Sequence, residues 1–324
     1  MLTVCMIVRN EAKDLPDLLK NISAFADDIV VVDTGSKDKT RKIAKQHPKV
    51  SLHHHVWSDD FSQARNVSLS HAKGEWILVL DADERVENPQ VLSSMLSNDD
   101  VDAYDVLIHN LQPPGSITQV EIGRLPRLFR NKGYQYEGVI HEQISPSLEK
   151  NQAKRSLGDL VITHYGYQRE KVQGNVRRYD RNIALLEKQL QRTPDDFYYL
   201  YHLALMYKKD DINKAKDVFT RALESGSSSI PQYLRSQIHM RLAQIALEQE
   251  DHILCVNESK KALTFDENNV IAKVCNITSL CAIRAFQQAG LMIVDVIENH
   301  LDQVGNPNDF INLHKQLKEI GLIS

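Results

Sequence analysis

Two aspartates separated by one alanine, Asp81-Ala82-Asp83, follow the apolar run Trp76-Ile77-Leu78-Val79-Leu80. Carboxylates so spaced where a buried strand ends and the chain turns can converge on one external point. A hard divalent cation such as Mg2+ or Mn2+ needs little more, because phosphate oxygens and water complete its shell, whereas Ca2+ wants about six to eight oxygens. A solvated turn would use the same residues, so context has to decide between the two. A third carboxylate, Asp33, closes the apolar run Ile29-Val30-Val31-Val32 and precedes Thr34-Gly35-Ser36. There it can accept hydrogen bonds from a base or a ribose, while Gly35 permits a turn and Ser36 or Asp38 can cap a following helix. Neither the phosphate loop GxxxxGK[ST] nor the dinucleotide fingerprint GxGxxG occurs at these positions.

Such residues need rigid holders. Apolar runs at Leu2–Val8, Asp28–Asp33, 50–56 and 76–80 read as strands, with polar helical stretches between them: Leu15, Leu18, Leu19 and Ile22 keep helical spacing, and Ala64, Val67, Ser68 and His71 do so more weakly. This is the rhythm of βαβ units on a largely parallel sheet, an α/β nucleotide-binding architecture in which ligands sit outside the carboxyl ends of the strands. Arg9-Asn10-Glu11, Asp33 and Asp81-Ala82-Asp83 all fall at such ends. From 104 to 164 the pattern is irregular, broken by Pro113-Pro114-Gly115 and Pro126, and predicts short mixed strands and loops that complete a site.

Beyond residue 168 almost every segment is helical in period. Leu200, Leu203, Ala204 and Tyr207, followed by Ala215, Phe219 and Ala222, stand as in a tetratricopeptide repeat, and so do His239, Leu242, Ala243 and Ala246 followed by Cys255, Ser259 and Ala262. The chain of 324 residues therefore divides into an α/β domain at 1–168 and an all-α helical-repeat domain at 169–324. A net charge of −4 gives no basic surplus for nucleic acid, and no apolar run is long enough to cross a bilayer. The expectation is a cytoplasmic protein that can work peripherally at the inner face of a membrane. Cys5, Cys255, Cys275 and Cys281 lack metal-binding spacing and read as reduced packing residues.

Four stretches, "CMIVRNEAKDL", "IVVVDTGSKDKT", "WSDDFSQARNVSL" and "WILVLDADE", occur in this order at separations that resemble the family 2 glycosyltransferases of GT-A fold. "RLFRN", "YEGVIHE" and "HYGY", followed by tetratricopeptide-like helices, resemble one subgroup of that family. The resemblance covers residues 1–170 or so and implies an inverting transfer of a sugar from a nucleotide-sugar, usually a UDP-sugar, with Mn2+ or Mg2+. It implies that Glu11 and Asp33 contact the nucleoside and that Arg65 and Asn66 line the donor pocket. Asp81 and Asp83 would meet the diphosphate through the metal, with Asp83 the direct ligand and His164 completing its site, while Arg127, which opens "RLFRN", would face the diphosphate.

Inverting transfer needs a base opposite the leaving group. Glu142 is the candidate, with Asp83 and Glu84 as competitors. Arg124 and Arg130 are read as exposed strand arginines or further anion partners, and His141 as a packed residue or a ligand. Neighbouring strand residues face opposite sides, so His53-His54-His55 cannot share one ion. Trp57 and Asp60 would shape the donor pocket. Glycan, lipid-linked and peptide acceptors all stay open, as does a protein partner or self-association through the helical domain. The alternatives weighed are a catalytically inactive helical-repeat scaffold that binds a partner, and a nucleotidyltransferase, which the absence of glycine from "MIVRNEAKDL" disfavours.

Overall fold

A computed structural model describes residues 1–112, 120–166, 175–208, 210–225 and 230–323. Pro113-Pro114-Gly115, Tyr167 of "HYGY" and the expected boundary at 168/169 lie outside these residues. Two compact units are present, one formed by Met1–Leu111 and Val120–Gln173, the other chiefly by Gly174–Ser324.

The first unit is built on eight strands: β1 (Leu2–Val8), β2 (Asp28–Asp33), β3 (Val50–His54), β4 (Trp76–Val79), β5 (Glu84–Val86), β6 (Ala103–Leu111), β7 (Val120–Arg130) and β8 (Arg155–His164). Five α-helices accompany them: α1 (Leu15–Ile22), α2 (Thr40–Gln46), α3 (Phe61–Ser70), α4 (Leu92–Leu96) and α5 (Ser145–Lys150). The sheet runs β3-β2-β1-β4-β7-β6-β8-β5. Its first four strands are mutually parallel, and β7 is antiparallel to both β4 and β6. β8 then runs parallel to β6, and β5 antiparallel to β8.

Burial on both faces explains the nearly unbroken apolar character of the central strands. Leu2, Val4, Met6 and Leu78 join Leu15, Leu18, Leu19 and Ile22 of α1 in one core, while Cys5, Val30, Val32 and Val79 join Tyr134 and Tyr136 in the other. The four apolar residues of α1 are those whose spacing indicates a buried stripe, and each contributes roughly 1.5–3 kcal/mol by burial. Asp60 caps α3 by accepting the Gln63 N–H at 3.0 Å, so its side chain starts the helix.

Two expectations need correction. β3 stops at His54, where its partner β2 ends at Asp33: the His55 N–H makes the last bond of the parallel ladder to the Asp33 carbonyl at 3.0 Å, and Val56 is left exposed. The segment from 104 to 164 carries three long strands, not short ones, and Pro126 lies inside β7 without breaking it. Tyr104 pairs with Leu128 and Asp105 with Pro126, so Arg127 is the extra residue of a bulge, the place where a strand tolerates proline and re-aims a side chain.

The second unit is all-helical: α6 (Asn175–Arg192), α7 (Phe197–Tyr207), α8 (Ile212–Ser225), α9 (Gln232–Glu248), α10 (His252–Phe265), α11 (Val270–Ala282), α12 (Phe286–Asn299) and α13 (Pro307–Glu319). The small and aromatic residues singled out by the repeat pattern are its interior: Leu200, Ala204, Ala215, Phe219, Ala243, Cys255 and Ala262 are buried. Asp196, Asp251 and Asn269 cap α7, α10 and α11. Among the described residues, no helix is long and apolar enough to cross a membrane.

Candidate active site

Because β1, β2, β3 and β4 are parallel, their carboxyl ends share one rim of the sheet. Two loops at that rim hold each other. Asn10 adopts the left-handed conformation (φ 59°) and accepts the Lys37 N–H at 2.8 Å, while the Glu11 N–H donates to Thr40 Oγ1 at 2.7 Å. The Ala12 N–H donates to Asp38 Oδ2 at 3.1 Å. Asp33 is 1% exposed and accepts the N–H groups of Gly35 and Ser36, each at 3.2 Å, closing a turn that Gly35 enters at φ 105°. His54 Nδ1 lies 3.0 Å from the Asp33 carbonyl, and Arg41 Nε lies 3.9 Å from its carboxylate. Glu11 and Asp33 are thus fixed at neighbouring strand ends.

Arg65 organises the next part of the site. From α3 its Nη2 donates to Asp81 Oδ1 at 2.7 Å and its Nε to Glu142 Oε1 at 2.9 Å. Its side chain is 7% exposed, and the Tyr136 ring lies 5.9 Å from its guanidinium carbon. Burial alone would lower Arg65, but the two carboxylates raise it well above its ordinary value. For Asp81, burial would raise the carboxyl, and Arg65 and Arg127 outweigh it and hold it well below the usual carboxylate range. Nη1 of Arg65 is buried without a hydrogen-bond partner among the described residues, a donor that a bound anion would satisfy.

The bulge in β7 delivers Arg127, whose Nη2 donates to Glu84 Oε1 at 3.0 Å and lies 3.6 Å from Asp81 Oδ2. Glu84 accepts the Asp81 N–H at 2.8 Å with its other oxygen and is 2% exposed. Burial pushes its carboxyl up against the pull of Arg127. This competitor for the role of base is instead a buried brace for the Asp-Ala-Asp turn, facing Arg127 and a backbone amide.

Glu142 sits on a short loop closed by reciprocal hydrogen bonds between Glu137 and Gln143, each 2.9 Å. Within it Gly138 has φ 94° and His141 φ 51°, and the Phe61 N–H holds the Val139 carbonyl at 2.9 Å. A left-handed histidine costs about 1–3 kcal/mol, strain that the surrounding structure sustains where it presents a functional side chain. Burial pushes the His141 imidazole down to about 4. Asn66 clamps the Tyr136 backbone, accepting its N–H at 2.7 Å and donating to its carbonyl at 3.0 Å, so its side chain braces this segment.

Asp83 takes a different direction from Asp81. Its Oδ2 lies 3.3 Å from His164 Nε2, and the Tyr165 N–H binds its carbonyl at 3.0 Å. The other ring nitrogen, Nδ1, lies 3.1 Å from Asn110 Oδ1. The Asn110 amide nitrogen is directed to the Glu121 carbonyl at 3.3 Å, so its oxygen faces the imidazole and Nδ1 is the protonated donor. Asp83 Oδ2 and His164 Nε2 then face each other as two basic atoms, which a shared cation holds together, whether a proton or a metal ion. Burial alone would lower His164, and Asp83 more than offsets it, leaving the imidazole raised.

Among the described residues no three His, Cys, Asp or Glu side chains gather at one point. A resident metal would take Asp83 and His164 from the protein and its other oxygens elsewhere, a donor set that fits Mg2+ or Mn2+. A Cβ on Gly166 would fall 2.5 Å from Asp83 Oδ2 and 2.7 Å from His164 Nε2, so only glycine leaves this space open.

Of the expected residues, Arg65, Asp81, Arg127 and Glu142 meet in one ionic cluster, Asp83 and His164 form an adjoining pair, and Glu11 and Asp33 stand on neighbouring strand ends. Asp81 and Asp83 do not converge on one point, because Arg65 and Arg127 occupy Asp81. The arginine series splits as well. Arg124 donates to the carbonyls of Asp105 and Gly158, while Arg130 lies over the Trp76 ring and clamps the Val101 and Asn98 carbonyls. His53 stacks on His71, away from His54. Asn110 carries no sequence signal as a member of the site, Glu84 is expected there only as a competing base, and Gly166 stands in "HYGY" without an assigned role.

An α/β unit whose parallel strands end in clustered carboxylates and buried arginines carries polar side chains where open α/β sheets bind ligands. Residues 3–138 match the family model described as glycosyl transferase family 2. The N-terminal unit belongs to that family, and tetratricopeptide-like helices follow it. A TPR repeat-containing protein of Synechococcus elongatus is 36% identical over 236 residues, covering 69% of this chain and 57% of that protein. The SPbeta prophage-derived glycosyltransferase SunS of Bacillus subtilis is 28% identical over 239 residues, covering 66% of this chain and 54% of its own. The chain thus spans little more than half the length of these curated relatives. The solved structure of S. aureus TarS 1–349 in complex with UDP-GlcNAc is 12% identical with a TM-score of 0.44, covering 98% of this chain and 91% of that one.

Proposed function

We propose that the protein is an inverting glycosyltransferase that moves a sugar from a UDP-sugar to a glycan, lipid-linked or peptide acceptor. The observation that carries the reading is the bridge by Arg65 between Asp81, at the end of β4, and Glu142, on its strained loop. One buried cation there sets a donor-side carboxylate and a base candidate at a fixed separation, the arrangement that single displacement demands.

In this reading Glu11 and Asp33 bind the nucleoside. Arg65 Nη1 and Arg127 present hydrogen-bond donors to the diphosphate, where negative charge develops as the sugar leaves. Glu142, steadied through Oε1 by Arg65, takes the acceptor proton on Oε2. Asp83 and His164 would hold Mn2+ or Mg2+, which when bound supplies countercharge to the leaving diphosphate. The helical unit offers a surface for the acceptor, a protein partner or a second copy of the chain.

A thermal-shift panel of UDP-, GDP- and TDP-sugars with and without Mn2+ tests the reading, because a ligand of the folded state raises its melting temperature. One UDP-sugar should give a Mn2+-dependent shift. Glu142→Gln should keep that shift and lower UDP release by roughly 100-fold or more. The absence of a shift with any sugar nucleotide at millimolar Mn2+ would sink the proposal.

A further inference from the structure

The geometry points to Asn110 as a positioning residue that fixes the His164 ring so that Nε2, and not Nδ1, is presented to a metal ion shared with Asp83. The inference rests on the reading of Asp83 and His164 as metal ligands.

An imidazole binds a metal through either nitrogen, and the hydrogen bond made by the other one decides which. Asn110 lies in β6 directly opposite His164 in β8, paired in parallel register. Its Nδ2–H is directed across the hairpin to Glu121, its partner in β7, which turns the amide oxygen toward His164 Nδ1. Flipping the amide would set Oδ1 against the Glu121 carbonyl, oxygen against oxygen, so both hydrogen bonds enforce one orientation. With Nδ1–H engaged, the Nε2 lone pair points along the Asp83 direction into the space that Gly166 keeps clear. Three strands thereby specify the aim of one nitrogen, although nothing in "HYGY" encodes it.

The test compares wild type, Asn110→Leu and Asn110→Asp in the full-length chain. Mn2+ binding is followed by the electron paramagnetic resonance of the free ion, and the metal-free melting temperature serves as a folding control. Asn110→Leu, which removes the acceptor, should weaken Mn2+ binding by about 10- to 100-fold. Asn110→Asp, which keeps an acceptor for Nδ1–H although its second oxygen then faces the Glu121 carbonyl, should recover most of the Mn2+ affinity lost in Asn110→Leu and stay within about tenfold of wild type. In protein loaded with 113Cd2+, coupling should appear at His164 Nε2 while Nδ1 keeps its proton, a readout that a merely structural asparagine would not set.

Wild-type affinity in a folded Asn110→Leu variant, or cadmium coupling at Nδ1, overturns the inference and leaves the metal-site reading standing. Failure of wild type itself to bind Mn2+ or Cd2+ overturns both. Should Asn110→Leu fail to fold, the position of the cadmium coupling in wild type and the affinity of Asn110→Asp decide the matter.

Discussion

Replacing Arg65 by methionine is the sharpest perturbation of the site. The substitution keeps most of the apolar stem but removes the guanidinium that binds Asp81 at 2.7 Å and Glu142 at 2.9 Å. Breaking a buried ion pair by deleting one partner costs about 3–5 kcal/mol, because the remaining charge is stranded. Here two carboxylates are stranded, but Asp81 is one-third exposed and water can reach it, so the expected loss is near the low end, about 3 kcal/mol. For a unit of this size that corresponds to a fall in melting temperature of roughly 6–12 °C. Urea denaturation should show a lower midpoint with an unchanged slope. A double-mutant cycle with Glu142→Gln isolates the pair, and the two changes should couple by about 1 kcal/mol or more, since neutralising Glu142 relieves one of the stranded charges. A loss below about 1 kcal/mol for Arg65→Met, or additivity within about 0.5 kcal/mol, would refute the claim that Arg65 bridges the two residues.

Other substitutions test neighbouring claims. Gly166→Ala should weaken Mn2+ binding about tenfold or more while leaving the metal-free melting temperature nearly unchanged, because the new Cβ meets only the tips of Asp83 and His164; calorimetric titration checks it. Gly74→Ala should instead destabilise the α/β unit by more than about 2 kcal/mol in urea, because its Cβ would fall 2.7 Å from the Thr3 backbone nitrogen and 2.8 Å from the Met1 carbonyl, neither of which can step aside. In the helical unit burial would raise the Glu258 carboxyl, but hydrogen bonds from His239 and Lys261, each 2.7 Å, outweigh it and leave it lowered. A folded-state value below the unfolded one means that this stabilisation is complete above the ordinary carboxyl value of 4.5 and fades as pH falls through the lowered value. Glu258→Gln should therefore be less stable than wild type at pH 7, with the gap closing toward pH 3, as measured by thermal melts across that range.

Local chemistry made much of this molecule readable. Continuous apolar runs announced β1, β2 and β4 because a strand covered on both faces has no polar alternation to obscure it. The positions of Leu15, Leu18, Leu19 and Ile22 announced α1 for the complementary reason, a stripe at helical period. What escaped was set by pairing between distant strands. Pro126 reads as a breaker until the offset between Tyr104 and Asp105 shows that β7 bulges beside it, and no local signal carries that offset. Glu84 was weighed as a base because its type permits one; only the fold shows it buried under Asp81. Asn110 and Gly166 lie outside any dense run of charged residues, and their contacts exist only once β6 and β8 stand side by side.

The split within Asp-Ala-Asp has a consequence for charge balance. Asp81, Asp83, Glu84 and Glu142 bring four carboxylates to a small volume, and Arg65 and Arg127 bring two guanidinium groups. With a neutral His164 the cluster keeps two negative charges in excess. An approaching pyrophosphate is therefore repelled by the ensemble even though individual arginine hydrogens attract it, and a divalent cation cancels that excess in one event. Occupancy by cation and by polyanion should accordingly be linked, each raising the affinity of the other by the same factor, as thermodynamic reciprocity requires.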